Sequence, residues 1–385
     1  MLVKGPMEIA PITPGDSGQR LLRSWQIGQI LEVRVINQDE GGTAKLQIGR
    51  YQFQAHTSTP LTPGEPLRLR VVSLGEQPVL ERLHTASPAN ETYAQALRNA
   101  LPRQGGLGPL LANLSVLARS EEAASLGLPG PLKEAAREVF SKIPGLFSLT
   151  QAEVLKASLA NAGLFLEAKL ASQPTDSMAA DLKANLLRLA TLLGSVENHS
   201  PDDPVPPPLR GVMPEAQPIA TATLLSRASV QTALRDLATQ VEASLARIEI
   251  GQLSALSTEH HPCPNWLIDL PVREGETVRV FQFRIEEEEG HGKGQDRKRW
   301  SVTVAFELDG LGSMHARLTL FDRSISAYLW AEQTETYRLF ERHLKELRQE
   351  LYGADLETVD LRCFHGKPTG PALPSDAHDL VDVRV

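Results

Sequence analysis

Residues 300–320 read WSVTVAFELDGLGSMHARLTL. Apolar and polar residues alternate on both sides of Asp309–Gly312, which is the pattern of two strands joined by a tight turn. A second turn is indicated at Asp322–Arg323, because another alternating run follows it. Further alternating runs lie at residues 266–270, 277–285 and 324–330. This region is therefore predicted to form an antiparallel sheet.

An amphipathic helix is predicted at residues 334–351, where large apolar side chains recur every three or four positions. Two closing strands are expected after it, at residues 356–363 and 380–385. Together these elements define a C-terminal β-rich domain with one packed helix, spanning residues 264–385.

The N-terminal region has a different pattern. Residues 21–86 contain about five short alternating runs separated by glycine and proline, which is typical of a small β barrel. Residues 1–20 lack periodicity and are expected to be a flexible arm. We therefore predict a small β barrel-like domain at the N-terminus.

The middle of the chain is rich in alanine and leucine at helical spacing. Residues 88–196 are predicted to be helical, with a kink or break at Gly163. Residues 197–220 form a proline-rich linker, which we expect to be extended and to act as a hinge. Residues 221–260 are predicted to form one long helix. The fold class is thus α+β and multidomain, with an all-α middle.

Composition limits the possible functions. The 385 residues contain 39 Lys and Arg against 47 Asp and Glu, a formal net charge of −8. An acidic balance disfavours binding to a nucleic-acid backbone, which requires a basic face. Cys263 and Cys363 are the two cysteines, so a disulfide framework is excluded. No apolar run is long enough for a membrane span or a general secretory signal, so we expect synthesis in the cytoplasm and no membrane insertion.

Candidate catalytic and metal motifs are weak. Gly15–Gly18 copies part of a serine-protease motif, but only sixteen residues precede Ser17, too few for the rest of a triad. His260, His261 and Cys263 lack a fourth zinc ligand nearby. Gly290–Gly294 is not followed by the Lys-Ser/Thr step and helix of a phosphate-binding loop.

Two further sets of side chains are more consistent with structure than with chemistry. The carboxylates of Glu286–Glu289 alternate between strand faces, so a solvated charge run is expected. Trp266, Trp300 and Trp330 lie on separate strands and are expected to pack in a core, with ligand stacking as the alternative. The sequence predicts no enzyme activity, no metal and no cofactor.

Several short motifs in the last third occur in a familiar order. They are Trp266–Val272, Val302–Leu308, Asp309–Gly312, Ala316–Leu320, Leu329–Glu332 and Leu344–Leu351, with weaker similarities at Gly163–Ala168 and Val241–Ile248. This region resembles the C-terminal domain of the flagellar hook-length control (FliK-like) family.

The resemblance implies a non-enzymatic regulator of flagellar type III export in a bacterial flagellum. In that family, the N-terminal part senses hook length while the chain passes through the export apparatus. The C-terminal domain contacts the cytosolic domain of the export-gate protein FlhB, and export switches from rod and hook subunits to filament subunits. Hook or hook-cap subunits are left open as further partners. The resemblance implies no nucleic-acid partner.

Candidate contact residues for the gate are those of the turn and of the C-terminal helix. They are Asp309, Gly310, Leu311, Gly312, Leu344, Leu347, Arg348 and Leu351. The alternative is that the apolar members of this set belong to the core.

Two features of the first 260 residues bear on length sensing. Fully extended, they reach on the order of 850 Å, at about 3.3 Å per residue, which is ample for a ruler. Residues 21–86 and 90–194 nevertheless have the patterns of folded domains, unlike the low-complexity N-terminal half that is common in the family. The alternative function is a ligand- or nucleic-acid-binding adaptor built on the β barrel.

Overall fold

The computed structural model divides the chain into two compact units, residues 1–93 and 94–385. The structure describes residues 7–11, 25–39, 43–49, 51–57, 61–64, 66–74, 79–83, 88–119, 127–172, 175–194, 205–227, 229–256, 263–289 and 298–368.

The first unit is a closed antiparallel barrel, as the sequence predicts. Its strands follow one another around the barrel in the order β1-β4-β3-β2-β5-β6, and β1 pairs with β6 to close it. The bounds are β1 Met7–Pro11, β2 Ile30–Gln38, β3 Thr43–Ile48, β4 Tyr51–His56, β5 Pro66–Ser73 and β6 Val79–Leu83. Strand β1 lies within the predicted flexible arm, so that prediction is wrong for residues 7–11. A strand of five residues can form backbone hydrogen bonds with a neighbouring strand on each side even when its sequence has no alternating apolar pattern.

Strict alternation builds the barrel core. In β2, Leu31, Val33 and Val35 are buried while their neighbours Glu32 and Arg34 are exposed. Inward side chains of β3, β4, β5 and β6 join them in one apolar cluster. Trp25 covers Phe53 edge-on, with ring centroids 5.9 Å apart. Because every second side chain along these strands is apolar and points inward, the alternation in the sequence explains the barrel core.

Short helices separated by proline and glycine follow the barrel along the chain, and the first of them contains the boundary between the units at residues 93 and 94. Their bounds are α1 Pro88–Ala100, α2 Gly108–Arg119, α3 Gly130–Lys142, α4 Ala152–Ala160, α5 Leu166–Ser172 and α6 Leu182–Leu193, with 3-10 turns at Leu146–Thr150 and Thr175–Ala180. The predicted break at Gly163 is confirmed, since α4 ends at Ala160 and Gly163 has φ +97°. An added Cβ there would lie 3.0 Å from the Lys183 side chain, so only glycine fits both the backbone and the packing.

The described part of the predicted linker, residues 205–220, forms no helix or strand but is packed within the second unit. Pro208, Pro214 and Gln217 are buried within the second unit. The carbonyl of Val205 accepts a hydrogen bond from Gln104 Nε2 at 2.7 Å. The predicted hinge is therefore wrong for these residues, because proline removes donors but leaves carbonyls that neighbouring side chains can bind.

Helix α7, Val230–Ala255, is shorter than the predicted long helix. Ser229 caps it, accepting a hydrogen bond from the Thr232 amide at 3.1 Å. Residues 224–226 form a separate 3-10 turn before it. The predicted start at 221 is wrong, because the helix begins at a serine cap eight residues later.

A six-stranded sheet completes the unit, in the order β12-β11-β10-β9-β8-β7. All neighbours are antiparallel except β11 and β12, which helix α8 connects in parallel. The bounds are β7 Asn265–Glu274, β8 Thr277–Glu289, β9 Lys298–Leu308, β10 Gly312–Phe321, β11 Ser324–Ala331, α8 Thr334–Gly353 and β12 Glu357–His365. The strand predicted at 380–385 lies outside the described residues. The fold class, α+β with a β-rich C-terminal region carrying one helix, is confirmed.

The helices and the sheet share one core. Val278 and Val280 of β8 belong to the same buried cluster as the leucines of α2, α6 and α7. The division into a helical region, a linker and a separate C-terminal domain is therefore wrong. Local periodicity predicts the elements, whereas this division depends on contacts between residues more than a hundred positions apart.

Candidate functional site

The strand register separates an apolar face of the sheet from a polar face. Paired residues lie on the same face, so Phe283, Val304 and Ala316 form one row across β8, β9 and β10. The next row, Arg284, Thr303 and Arg317, lies on the opposite face. The first face is almost entirely apolar, whereas the second carries charges and hydroxyl groups.

Different elements cover the two ends of the apolar face. At the β7–β8 end, Leu146, Leu155 and Phe165 pack with the strand side chains in one cluster. At the other end, α8 packs against β11 and β12. Tyr337 of α8 lies edge-on to His365 of β12, with ring centroids 6.1 Å apart.

Between these covered ends lies a strip of aliphatic side chains that we call the apolar strip: Val302, Val304, Leu318 and Leu320. Val302, Val304 and Leu320 are half-buried, and Leu318 is 36% exposed. Val302 and Val304 also pack against the apolar cluster at the β7–β8 end, so the exposed part of the apolar strip is centred on Leu318. A partly exposed apolar strip of this kind is a candidate surface for contact with another protein.

The turn at Asp309–Gly312 is anchored to the rest of the fold. The Asp309 carboxylate is 74% exposed, yet it lies 2.7 Å from the buried Arg279 guanidinium. Although burial lowers the pKa of Arg279, hydrogen bonds with Asp309 and Glu274 raise it above its usual value. The Leu311 carbonyl accepts a hydrogen bond from Thr336 Oγ1 at 2.7 Å, which joins the turn to α8.

The two glycines of this turn have different surroundings. Gly310 and Gly312 both have positive φ, +74° and +72°. A Cβ on Gly310 would meet nothing within 4 Å, but one on Gly312 would lie 2.7 Å from the Gln333 side chain. Gly312 is therefore required for packing against the start of α8 as well as for the turn.

Helix α8 presents the remaining predicted contact residues. Leu344, Leu347 and Leu351 are half-buried, and Arg348 is exposed. Thr336 is the one buried residue among those described on α8. The leucines thus lie against the sheet while keeping part of their surface accessible, and the structure leaves the predicted gate contact untested.

Burial beneath α8 also affects a thiol. Cys363 of β12 is half-buried, and burial together with the Glu341 charge raises its pKa to about 11. The thiol is therefore protonated at neutral pH, which makes it a poor nucleophile.

The three tryptophans lie on both faces. Trp266 and Trp300 stack on the apolar face at 6.0 Å, and Phe165 packs edge-on against Trp266. Trp330 lies on the polar face and stacks with Phe364 at 5.4 Å. Each of the three is half-buried in ring contacts.

The other motifs provide no functional site within the described residues. Gly15–Gly18, His260, His261 and Gly290–Gly294 lie outside them. Glu286 accepts a hydrogen bond from Asn265, and Glu287 pairs with Lys298 at 2.7 Å, so these two carboxylates have local partners. Among the residues that the structure describes, no three metal-ligating side chains converge, and no helix is sufficiently long and apolar to cross a bilayer.

A comparison with known families finds a match for part of the sheet. Residues 288–372 match the family model of the flagellar hook-length control protein FliK. The resemblance is thereby confirmed for the C-terminal domain of that family, a family of flagellar regulators. The match begins at the end of β8 and takes in β9 to β12 with α8, so it contains the whole apolar strip. It supports a role in hook-length control.

A second match concerns the barrel. Residues 15–81 match the TP0910 S1-like domain, and no curated protein or solved structure matches the chain. Oligonucleotide-binding barrels of five strands use basic grooves and stacked aromatic rings. On β3 and β4 the outward side chains include Lys45, Gln47, Gln52, Gln54 and His56, whereas Tyr51 pairs with Ile48 on the inward side. This surface therefore does not favour the adaptor alternative.

Sequence reasoning missed the apolar strip. Val302 and Val304 were expected to be ordinary strand residues, because alternation cannot distinguish a covered face from an open one. One signal in the sequence could have revealed the strip. The C-terminal strands are followed by a single amphipathic helix, and one helix covers only two or three strands of a six-stranded sheet.

Proposed function

We propose that this protein controls hook length by switching flagellar export from rod and hook subunits to filament subunits. It acts by binding, with the C-terminal sheet contacting the cytosolic domain of the export-gate protein FlhB. The observation that carries the proposal is that residues 288–372, the FliK match, contain the partly exposed apolar strip.

The apolar strip is the proposed centre of the contact. A partner that inserts an apolar side chain between Leu318 and α8 removes this surface from water, at about 25 cal/mol per Å² buried. Such a ligand shifts the export gate only if it binds one gate conformation more tightly than the other. A binding surface is therefore sufficient for the switch, without covalent chemistry.

Among the predicted contact residues, those of the turn have a different role from those of α8. Asp309 and Leu311 already bind Arg279 and Thr336 within the fold. We therefore propose that the turn holds α8 in place, and that Leu344, Leu347 and the apolar strip supply the contact surface.

Length sensing by an extended ruler requires unfolding in this protein. The barrel is closed, and residues 94–256 share their core with β7 and β8. We propose that both units unfold before passage through the flagellar type III apparatus, after which the C-terminal region refolds or remains at the gate.

Electron microscopy of hooks from cells that lack this gene tests the proposal. We expect abnormally long hooks without filaments, restored to normal length by the wild-type gene. Hooks of normal length that carry filaments would contradict a role in hook-length control.

A further inference from the structure

Residues 205–220, which we call the strap, cross the polar face of the sheet and are held there by side chains. The guanidinium of Arg247 donates to the Pro206 carbonyl at 2.9 Å, and that of Arg210 donates to the Cys263 carbonyl at 3.1 Å. Several strap residues have no amide hydrogen to donate, namely Pro206, Pro207, Pro208, Pro214 and Pro218. A segment with so few backbone hydrogen bonds can open locally while the rest of the fold persists.

One row of the polar face lies beneath the second half of the strap. It consists of Gln282 of β8, Ala305 of β9 and His315 of β10. The Glu215 amide donates to Gln282 Oε1 at 2.9 Å. The preceding strap residue, Pro214, accepts a hydrogen bond from the His315 imidazole through its carbonyl. Two consecutive strap residues are thus fixed by two side chains of one row, and His315 is the one that can change charge near neutral pH.

The His315 side chain is enclosed between the sheet and the strap. The residue is 4% exposed, and Nδ1 is buried without a hydrogen-bond partner among the described residues. In the neutral ring the proton lies on the nitrogen that bonds the strap, and Nδ1 carries a lone pair. A second proton would create a buried cation with an N–H group that no described acceptor meets, which is costly.

The charged groups around this imidazole lie on several elements. They are Glu215 of the strap, Glu332 after β11, Lys367 after β12, Arg284 and Arg317 in the next row, and the ion pair of Asp269 with Arg247 beyond Gln282. Burial lowers the pKa of His315 below its ordinary value, and the charge of Lys367 adds to this effect. The two glutamates and the Pro214 carbonyl oppose it without reversing it. The closed strap therefore favours the neutral ring.

We propose that His315 makes the attachment of the strap pH-dependent: a neutral imidazole holds Pro214 and Glu215 against the sheet, and uptake of one proton releases them. In the open form the ring is hydrated and has its ordinary pKa of about 6.5. The closed form is thus most stable above about pH 6.5 and is lost as the pH falls. Below that value the equilibrium constant for opening rises about tenfold per pH unit, until the closed form also takes up the proton. The proposal is independent of hook-length control.

Amide hydrogen exchange of the full chain, followed by mass spectrometry at about pH 7.5 and about pH 5.5, tests the proposal. Each observed rate is divided by the intrinsic exchange rate at the same pH, and carboxylates remain ionised at both values. The reporter is the Glu215 amide, because its hydrogen bond to Gln282 exists only while the strap is closed. We expect its protection to fall about tenfold at the lower pH, while the amides of α7 remain protected. Equal protection of Glu215 at both pH values would overturn the proposal.

His315→Gln is the decisive variant, because a glutamine amide can still donate to the Pro214 carbonyl but cannot take up a proton. Its Glu215 amide should have the same protection at both pH values. His343→Gln is the matched control: His343 of α8 is exposed, so this variant should retain the tenfold loss. A tenfold loss that persists in His315→Gln would overturn the role of His315.

Nuclear magnetic resonance titration of the wild-type protein covers the case in which His315→Gln does not fold. The assigned His315 ring resonances should titrate with a midpoint below about pH 6.5, and the Glu215 amide should lose protection over the same pH range. A His315 midpoint at or above about pH 6.5 would overturn the proposal, as would a loss of Glu215 protection outside the range in which the ring titrates.

Discussion

The two halves of the six-stranded sheet differ in how they are covered. Strands β7 and β8 lie between α2 and α7 on one face and the elements at residues 146–165 on the other. On the apolar face of β9 and β10, side chains such as Leu318 remain partly exposed. The FliK match coincides with this more open half. Strands β7 and β8 thus belong to the packed interior, whereas β9 and β10 present a partly exposed apolar surface.

The largest expected effect is in the covered half, at the buried ion pair of Arg247 and Asp269. Asp269 also accepts a hydrogen bond from Gln282 Nε2 at 2.9 Å. Asp269→Ala leaves an uncompensated buried charge, so we expect a loss of about 3–5 kcal/mol in the free energy of unfolding. Urea denaturation measures it. A loss below about 1 kcal/mol would mean that α7 is not fixed to the sheet as described.

A pair of leucine substitutions compares the two halves directly. Leu270 on β7 is 2% exposed, and Leu318 on β10 is 36% exposed. Leu270→Ala should cost about 2–5 kcal/mol of unfolding free energy, because it opens a cavity in the buried cluster on the apolar face of β7 and β8. Leu318→Ala should cost less than about 1 kcal/mol. Equal losses in urea denaturation would show that the open half is as fully packed as the covered half.

The turn between β9 and β10 gives a smaller effect. Gly310→Ala should cost about 1 kcal/mol, since alanine is strained at positive φ. Gly312→Ala should cost more, because its Cβ would also displace the Gln333 side chain. Thermal unfolding of the two variants measures the difference. The same midpoint for both would contradict the close packing of the turn against α8.

The smallest effect is a difference in thiol reactivity. Because the pKa of Cys363 is raised to about 11, its thiolate fraction rises about tenfold per pH unit below that value. The alkylation rate of Cys363 in a Cys263→Ser background should therefore keep increasing from pH 8 to pH 10. A rate that levels off near pH 9 would show that α8 does not bury the thiol.

Much of the fold follows from local sequence. The alternation around Val304 and Leu318 predicts β9 and β10, and Asp309–Gly312 predicts their turn. Gly163 predicts the break between α4 and α5. These features depend on neighbours in sequence, so periodicity and turn chemistry are sufficient to find them.

The failures share one physical cause, contacts between residues distant in sequence. Residues 205–220 have the composition of a linker, yet Gln104 and Arg247 bind carbonyl groups of this segment. Nothing local marks Met7–Pro11 as a strand, because its partners are β4 and β6.

The central claim is that the open half of the sheet performs hook-length control. Electron microscopy of hooks from cells carrying Leu318→Lys in place of the wild-type gene tests it most directly. Leu187→Lys is the matched control, since Leu187 of α6 is also exposed, at 45%. The account predicts long hooks without filaments for Leu318→Lys and normal hooks for Leu187→Lys. Normal hooks with filaments for Leu318→Lys, at unchanged protein abundance, would contradict it.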